Sequence, residues 1–323
     1  MQRYFLLGPT ASGKTRVALA LAEPLDAEIM SMDSMLVYRG MDLGTAKPSA
    51  EERAAVPHHL IDLVAPHQEF SVARYLEEVR SCEADLVARG KNALFVGGTN
   101  LYLKALTAGL LESPPIAAET RDAVRTLAET PEGLEQLFLE LQGVDPESAL
   151  RIHPNDAQRI SRAIEMYRAT GRSLSDWQRE WKPAQALEVP ALALEWPRDT
   201  LRERVSRRFS QMLDDGFLDE IRSIQASGGF GPTAAKALGY RQMIEFLDGK
   251  SSLEEATERA INGTRTYIRR QMTWLRSFPD LNWIAMCNDA GIPRPTNELA
   301  AACLAAFNVV PLSRTPQRDS THD

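Results

Sequence analysis

The chain has 323 residues, of which 44% are hydrophobic and 25% charged, and its formal net charge is −7. This composition is ordinary for a globular protein with one large or two modest domains, and the acidic balance argues against a protein that coats nucleic acid. The three cysteines, Cys82, Cys287 and Cys303, are far apart, which excludes a disulfide framework and a CxxC-type zinc site and favours a reducing compartment.

The chain begins with an apolar run, Arg3–Leu7, which is followed by a glycine-rich segment and a helical pattern near 14–22. This segment matches the phosphate-loop pattern GxxxxGK[ST] and consists of Gly8, Pro9, Thr10, Ala11, Ser12, Gly13, Lys14 and Thr15. Its backbone N–H groups can point toward a phosphate, Lys14 adds a positive charge, and the Thr15 hydroxyl can bind Mg²⁺. We therefore expect a di- or triphosphate ligand with Mg²⁺ as cofactor; an ordinary glycine-rich turn is the alternative.

Residues 3–106 alternate short β-type runs with helical patterns, which indicates parallel βαβ units. The predicted strands in this part are Arg3–Leu7, Glu28–Ser31, His59–Ile61 and Ala93–Val96, and the predicted helices lie near 14–22 and 71–89. Asp33 and Thr99 each follow a strand, so we expect both to meet the phosphate loop at the carboxyl edge of the sheet. There Asp33 could accept a proton from a substrate nucleophile, or instead bind Mg²⁺ through water or cap a helix.

The composition changes after about Leu111, where residues 113–115 are typical of a linker. Residues 116–189 are mostly helical in pattern and are predicted to form an all-helical insertion domain. One of its helices starts at a cap on Asn155 or Asp156 and ends at Gly171.

A predicted strand at Ala191–Trp196 returns the chain to the first domain. Helical patterns then follow at about 198–214, 217–226, 234–247 and 253–276, before a last strand at Leu281–Met286. The predicted fold is α/β: a P-loop NTPase-like parallel sheet flanked by helices, formed by residues 1–115 and 190–306 and interrupted by the helical insertion. Residues 307–323 are predicted to be a disordered tail. With no signal-peptide pattern and no membrane-length apolar stretch, a cytoplasmic protein is expected.

Several motifs, in order along the chain, resemble the tRNA dimethylallyltransferase (tRNA isopentenyltransferase) family. Besides the phosphate loop, the matching segments are 33–48, 57–62, 97–102, 153–162, 239–242 and 269–276. They span residues 1 to about 280. The chain lacks the Cys and His spacing of the zinc module that eukaryotic members can carry, which favours the bacterial type.

The resemblance implies transfer of the dimethylallyl group from dimethylallyl diphosphate to N6 of the adenosine 3′-adjacent to the anticodon, with release of diphosphate. Lys14 and the loop would stabilise the leaving diphosphate with help from Arg208, for which an exposed helix arginine is the alternative. Asp33 would align N6 and accept its proton, and Thr99 would lie beside the target base. The partner would be the anticodon stem-loop of tRNA, bound by a monomeric enzyme.

The same resemblance assigns residues to tRNA binding. Two arginine-rich runs explain how a chain with a negative net charge could bind RNA. The assigned residues are Asp33, Ser34, Met35, Leu36, Thr99, Arg121, Gln158, Arg159, Ile160, Ser161, Arg162, Gly239, Tyr240, Arg241, Gln242, Arg269, Arg270, Gln271, Trp274 and Arg276. Trp274 or Tyr240 could stack on a splayed base, although a core position for Trp274 is favoured.

Three other functions fit the same sequence. A nucleotide or small-molecule kinase would use the loop to transfer a phosphoryl group from ATP without RNA. An isopentenyltransferase acting on free adenylate would share the fold, but it would not need the arginines of the insertion. A non-catalytic RNA-binding module would tolerate replacement of Asp33.

Overall fold

The computed structural model describes residues 1–110, 116–180 and 189–309 of the chain. Its contacts define two compact units, one formed by Met1–Thr107 with Gln185–Asp323 and the other by Ala108–Ala184. The predicted linker at 113–115 and residues 310–323 of the predicted disordered tail lie outside the described residues. Residues 307–309 belong to a helix, and the Phe307 ring packs edge-on against Tyr4 at 5.1 Å between centroids. The prediction of a disordered tail is therefore wrong at these three positions.

The first unit is built on a six-stranded parallel sheet, counted over the described residues, with strand order β3-β2-β4-β1-β5-β6. The strands are β1 (Arg3–Leu7), β2 (Ala27–Met32), β3 (His58–His59), β4 (Asn92–Gly97), β5 (Ala191–Glu195) and β6 (Asn282–Ala285). This confirms the predicted α/β fold. The predicted strand His59–Ile61 is shorter because Leu60 and Asp62 adopt left-handed φ values of 64° and 55°, which no strand accommodates.

The helices follow the predicted pattern in most of the chain. They are α1 (Lys14–Ala22), α2 (Ala50–Ala55), α3 (Val72–Ala88), α4 (Asn100–Ala108), α5 (Ala118–Ala128), α6 (Pro131–Val144), α7 (Pro146–Arg151), α8 (Ala157–Thr170), α9 (Leu174–Glu180), α10 (Arg198–Asp214), α11 (Phe217–Ala226), α12 (Tyr240–Leu247), α13 (Leu253–Leu275) and α14 (Thr296–Val309). The single helix predicted at 234–247 is instead a 3₁₀ turn, Ala234–Lys236, followed by α12, because Gly239 between them has a φ of 90°. Within the described part of the chain, none of the helices has the length and apolarity to cross a membrane.

The core lies on both faces of the sheet. Alternate residues of β1 point to opposite faces, so Leu6 packs against α1 and α14 while Phe5 and Leu7 pack against α3 and α4. The same alternation in β4 and β5 completes two apolar layers. This leaves the carboxyl ends of the strands, at the edge of the sheet, to carry polar groups.

The second unit is a helical cluster with its own core, which includes Val124, Leu137, Ile160 and Ile164. Its helix α8 begins at Asp156, whose Oδ1 accepts from the Arg159 N–H at 3.1 Å, and ends at Gly171 in the left-handed conformation. Both ends confirm the predicted capping signals.

At the amino end of the sheet, the buried Glu28 carboxylate accepts hydrogen bonds from Arg89 and interacts with His59 Nε2 at 2.6 Å. The hydrogen bond with Arg89, followed by that with His59, lowers the pKa of Glu28 to about 2 against the opposing effect of burial. A carboxyl whose pKa is lower in the folded state stabilises the fold above its usual pKa, and this stabilisation is lost as the pH falls from 4.5 toward 2.

We therefore expect Glu28→Gln to lower the free energy of unfolding at pH 7 by on the order of 2 kcal/mol. The difference from the wild type should shrink as the pH is lowered below 4.5. Urea unfolding at pH 7 and pH 4 measures this, with the exposed Glu51→Gln as control. If the difference in unfolding free energy between Glu28→Gln and the wild type did not vary with pH, the lowered pKa assigned to Glu28 would be contradicted.

Candidate active site

The ends of three strands align at the carboxyl edge of the sheet. Leu7 of β1 and Met32 of β2 both pair with Gly97 of β4. The residues that follow, Gly8, Asp33 and Gly98, therefore lie side by side. This confirms the expectation that the phosphate loop, Asp33 and the segment leading to Thr99 come together.

Two consecutive glycines allow this close approach. A Cβ on Gly97 would lie 2.2 Å from the Met32 carbonyl oxygen, and a Cβ on Gly98 would lie 2.7 Å from the Gly8 carbonyl oxygen. Since both obstacles are backbone atoms, neither position accepts a side chain without displacement of a strand end.

The segment between β1 and α1 has the curled backbone of an anion cradle. Ala11 and Gly13 are left-handed, with φ values of 64° and 82°, and α1 starts at Lys14 without a side-chain cap. The first N–H groups of α1 therefore remain available to an anion, and the positive end of the helix dipole adds to their effect. Lys14 Nζ donates to the carbonyl oxygens of Gly8 and Pro9 at 2.9 and 2.8 Å.

Side chains that are distant in sequence hold this loop in place. Gln271 Oε1 accepts from the Thr10 N–H at 3.1 Å, Arg204 Nε donates to the Ala11 carbonyl at 3.0 Å, and Trp196 Nε1 donates to the Ser12 carbonyl at 2.8 Å. The Arg204 guanidinium also lies over the Trp196 ring, 4.3 Å from its centroid. Three successive loop residues thus have external partners, so the cradle is preorganised.

Positive and negative charges meet beside the loop. Arg208 Nη2 donates to Thr10 Oγ1 at 3.0 Å, which places this guanidinium at the loop and contradicts the alternative of an exposed helix arginine. Asp33 interacts electrostatically with both Lys14 and Arg208. Asp33 Oδ1 accepts from the Met35 N–H at 2.9 Å, so the carboxylate is oriented by a turn and does not cap a helix.

Thr99 lies on the other side of Asp33. Its Oγ1 accepts from the Ser34 N–H at 3.1 Å. Tyr267 lies beside Thr99 and Gln271 and is 37% exposed, and its partial burial together with the charge of Asp33 raises its pKa to about 12. Tyr267 therefore stays a neutral phenol, able to donate or accept a hydrogen bond.

The segment after Asp33 is anchored by ion pairs and hydrogen bonds. The Lys47 ammonium is buried and contacts Asp42 and Asp62 at 2.7 and 2.6 Å. Glu220 accepts from the Asp42 and Leu43 N–H groups at 3.0 and 2.6 Å. These contacts fix Ser34, Met35 and Leu36 next to the carboxylate.

The residues assigned to tRNA by resemblance separate into exposed and buried groups. The exposed residues are Arg121, Gln158, Arg159, Arg162, Arg241, Arg269, Arg270 and Arg276. Their binding of RNA stays a prediction.

Burial corrects the prediction for other members of the set. Gly239 has no side chain. Four other residues of the set are enclosed by the protein, and their exposed fractions are 0% for Ile160, 0% for Tyr240, 2% for Gln242 and 3% for Gln271. Tyr240 donates to Glu220 Oε1 at 2.5 Å with its ring among Phe217 and Phe230, so it is not available to stack on a base. Trp274 is half-buried and meets Phe278 edge-on at 4.6 Å, as favoured from the sequence.

Sequence reasoning missed several residues of the site: Trp196, Arg204 and Tyr267. Trp196 was predicted as the last residue of a strand, whereas the observed strand β5 ends at Glu195 and Trp196 directly follows it. Tyr267 and Gln271 are four residues apart on α13, so they share one helix face.

Comparison with known proteins gives consistent matches over most of the chain. The family model described as IPP transferase matches residues 36–278. A tRNA dimethylallyltransferase from Methylococcus capsulatus is 43% identical over 288 residues, which is 86% of this chain and 90% of that protein.

Solved structures are similar as well. The full-length tRNA isopentenylpyrophosphate transferase from Bacillus halodurans is 33% identical and superimposes with a TM-score of 0.68, over 96% of this chain and 97% of that chain. A eukaryotic dimethylallyltransferase acting on tRNA is 26% identical with a TM-score of 0.72, over 88% of this chain and 74% of that chain.

Proposed function

This chain belongs to the IPP transferase family, and from that membership we propose that it transfers a dimethylallyl group from dimethylallyl diphosphate to N6 of the adenosine 3′-adjacent to the anticodon in tRNA. The observation that carries the proposal is the juxtaposition of Asp33 with Lys14 and Arg208 at the glycine-rich loop. A proton acceptor and an anion cradle share one site there. The comparisons give no support to the kinase alternative.

In this reaction the allylic C–O bond breaks, the C–N6 bond forms, and one proton leaves N6. Lys14, Arg208 and the N–H groups of the first turn of α1 stabilise the negative charge that develops on the departing diphosphate. N6 of adenine is a weak nucleophile because its lone pair is delocalised into the ring. Asp33 orients N6 and accepts its proton as the new bond forms.

We propose Mg²⁺ as the cofactor of this step. The residues fit it, because Mg²⁺ in phosphate sites binds through one or two protein oxygens together with phosphate oxygens and water. The Thr15 hydroxyl, in the first turn of α1, would be such a ligand. When bound, the ion would neutralise part of the diphosphate charge.

The acceptor adenosine is stacked in an anticodon loop and must be extracted before it can react, at a cost of a few kcal/mol. We propose that exposed arginines bind phosphates of the anticodon stem-loop and offset this cost. A monomeric enzyme and a cytoplasmic location stay predictions.

The function is tested by incubating the protein with Mg²⁺, dimethylallyl diphosphate and unmodified tRNA. Mass spectrometry of the digested tRNA should show a C5H8 increment on one adenosine next to the anticodon. A reaction with ATP in place of the prenyl donor, and one with free AMP in place of tRNA, test the kinase and the adenylate alternatives. Absence of the increment from tRNA would contradict the proposal.

The activity should depend on the protonation of Lys14. Burial, with a smaller contribution from Arg208, lowers the pKa of Lys14 to about 8, and Asp33 opposes this shift. We expect kcat/KM for dimethylallyl diphosphate to fall as the pH rises through about 8, because the free enzyme then loses the charge that binds the diphosphate.

The control is Lys14→Arg, whose guanidinium stays protonated throughout this range. Its kcat/KM should be lower than that of the wild type at pH 7 but should not decline near pH 8. The same decline of kcat/KM in the wild type and in Lys14→Arg would show that a group other than Lys14 is responsible.

A further inference from the structure

We propose that Gln271 is a positioning residue that fixes the diphosphate loop and the Thr99 segment in one geometry, and that its side chain does not bind RNA. This inference rests on the proposed function. It differs from the role that family resemblance suggested for Gln271, and it follows from the contacts of the side chain.

The Gln271 amide joins two parts of the site that are far apart in sequence. Its Oε1 accepts from the Thr10 N–H at 3.1 Å, and its Nε2 donates to the Gly98 carbonyl at 2.8 Å. Thr10 carries the hydroxyl that receives Arg208, and Gly98 directly precedes Thr99. One side chain thus links the diphosphate loop to the residue expected beside the acceptor base.

The amide is well matched to this role. Both of its ends are used at once, and at 3% exposure the residue has almost no contact with solvent. If the side chain were apolar, the part-buried Thr10 N–H and the buried Gly98 carbonyl would each lose a partner, which is costly. The loop would then relax to satisfy these groups.

The backbone around Gln271 leaves space for this contact. A Cβ on Gly98 would lie only 2.4 Å from Gln271 Nε2. The glycine therefore admits the amide as well as the neighbouring Gly8 backbone. Two independent features, the bonded amide and the missing side chain opposite it, indicate that this junction is built for close approach.

Tyr267 extends the same link. It lies one turn before Gln271 on α13, beside both the Gln271 side chain and Thr99. Displacement of the amide is therefore expected to disturb Thr99 through two routes, the Gly98 backbone and the Tyr267 hydroxyl.

The test uses the full chain with Gln271→Met, which removes both polar ends at similar length, and Gln271→Glu, which keeps the acceptor for the Thr10 N–H but has no donor for the Gly98 carbonyl. For Gln271→Met we expect kcat/KM for dimethylallyl diphosphate to fall by about 10- to 100-fold, with both a lower kcat and a higher KM, because two buried groups lose their partners. The affinity for tRNA should stay within about twofold. Gln271→Glu should weaken diphosphate binding more than Gln271→Met does, because it places a negative charge beside the diphosphate loop.

A matched control is available at the other end of β4, the strand that directly precedes Gly98. The Asn92 side chain also bridges two backbone groups, accepting from the Gln2 N–H and donating to the Leu25 carbonyl, both at 2.8 Å. Asn92→Leu removes a comparable amide bridge far from the site. It should lower the melting temperature without changing kcat/KM.

Calorimetric binding of inorganic pyrophosphate gives a readout that does not depend on turnover. Weaker pyrophosphate binding in both Gln271 variants, with normal binding in Asn92→Leu, is the expected result, and it would stand even if the wild type failed to prenylate tRNA. Unchanged pyrophosphate binding combined with weaker tRNA binding would assign Gln271 to RNA contact and overturn the proposal. Equal losses of melting temperature with unchanged kinetics in all variants would overturn it as well.

Discussion

Replacing Asp33 with Asn is expected to lower kcat for prenyl transfer by about 100- to 10 000-fold, since a positioned proton acceptor contributes rate enhancements of this size. The carboxamide keeps the shape of the side chain and can still accept from the Met35 N–H as Asp33 Oδ1 does at 2.9 Å. What it loses is the negative charge that takes the proton from N6. Binding of tRNA should therefore be retained.

The Asp33→Asn variant should also show a changed pKa of the neighbouring Lys14. Asp33 raises the pKa of Lys14 toward its usual value. Without that charge the pKa of Lys14 should fall further, so the residual kcat/KM of Asp33→Asn should decline at a lower pH than that of the wild type. Single-turnover kinetics across pH 6 to about 9 measure both effects, since kcat/KM reports the free enzyme.

The control for Asp33→Asn is Asp26→Asn at the opposite end of β2. Asp26 forms an exposed ion pair with Lys91 at 2.5 Å, outside the site. Its replacement should leave kcat unchanged. If Asp33→Asn also kept a normal kcat, Asp33 would not be the proton acceptor.

The centre of the site could be predicted because its signals are local. The glycine-rich loop is a contiguous motif, and the alternation of strands and helices brings Asp33 and Thr99 to the same edge of a parallel sheet. The structure confirms these positions through the register of Leu7, Met32 and Gly97. Periodicity also gave the bounds of α1, α10 and α11, as their apolar faces are regular.

The residues that hold the loop could not be predicted in the same way. Gln271, Trp196 and Arg204 meet the loop across 261, 184 and 193 residues of sequence. No local pattern encodes contacts of that range. A motif also does not distinguish a buried residue from an exposed one, so Tyr240 and Arg241 were assigned to RNA together although only Arg241 is exposed.

Arg208→Met is the second variant with a large expected effect. Arg208 Nη2 reaches Thr10 Oγ1 at 3.0 Å, and its guanidinium interacts with Asp33. Negative charge develops on the diphosphate as the C–O bond breaks, so removal of one donor directed at it should lower kcat by about 100- to 1000-fold. The KM for dimethylallyl diphosphate should rise, while tRNA affinity should be unchanged.

Arg207→Met is the matched control, because Arg207 is the adjacent residue of α10 and is exposed, whereas Arg208 is directed at the loop. A general effect of losing one positive charge from this helix would appear in both variants. We expect a large loss of kcat in Arg208→Met alone. Equal, small losses in both would mean that Arg208 acts only as part of the surrounding positive field.

The pH dependence of kcat/KM distinguishes Arg208 from Asp33, because the two side chains shift the pKa of Lys14 in opposite directions. Arg208 lowers the pKa of Lys14, whereas Asp33 raises it. The decline of kcat/KM that lies near pH 8 in the wild type should therefore move to higher pH in Arg208→Met and to lower pH in Asp33→Asn. Opposite shifts require that both side chains face Lys14 in the working enzyme, and shifts in the same direction would be incompatible with the arrangement described for this site.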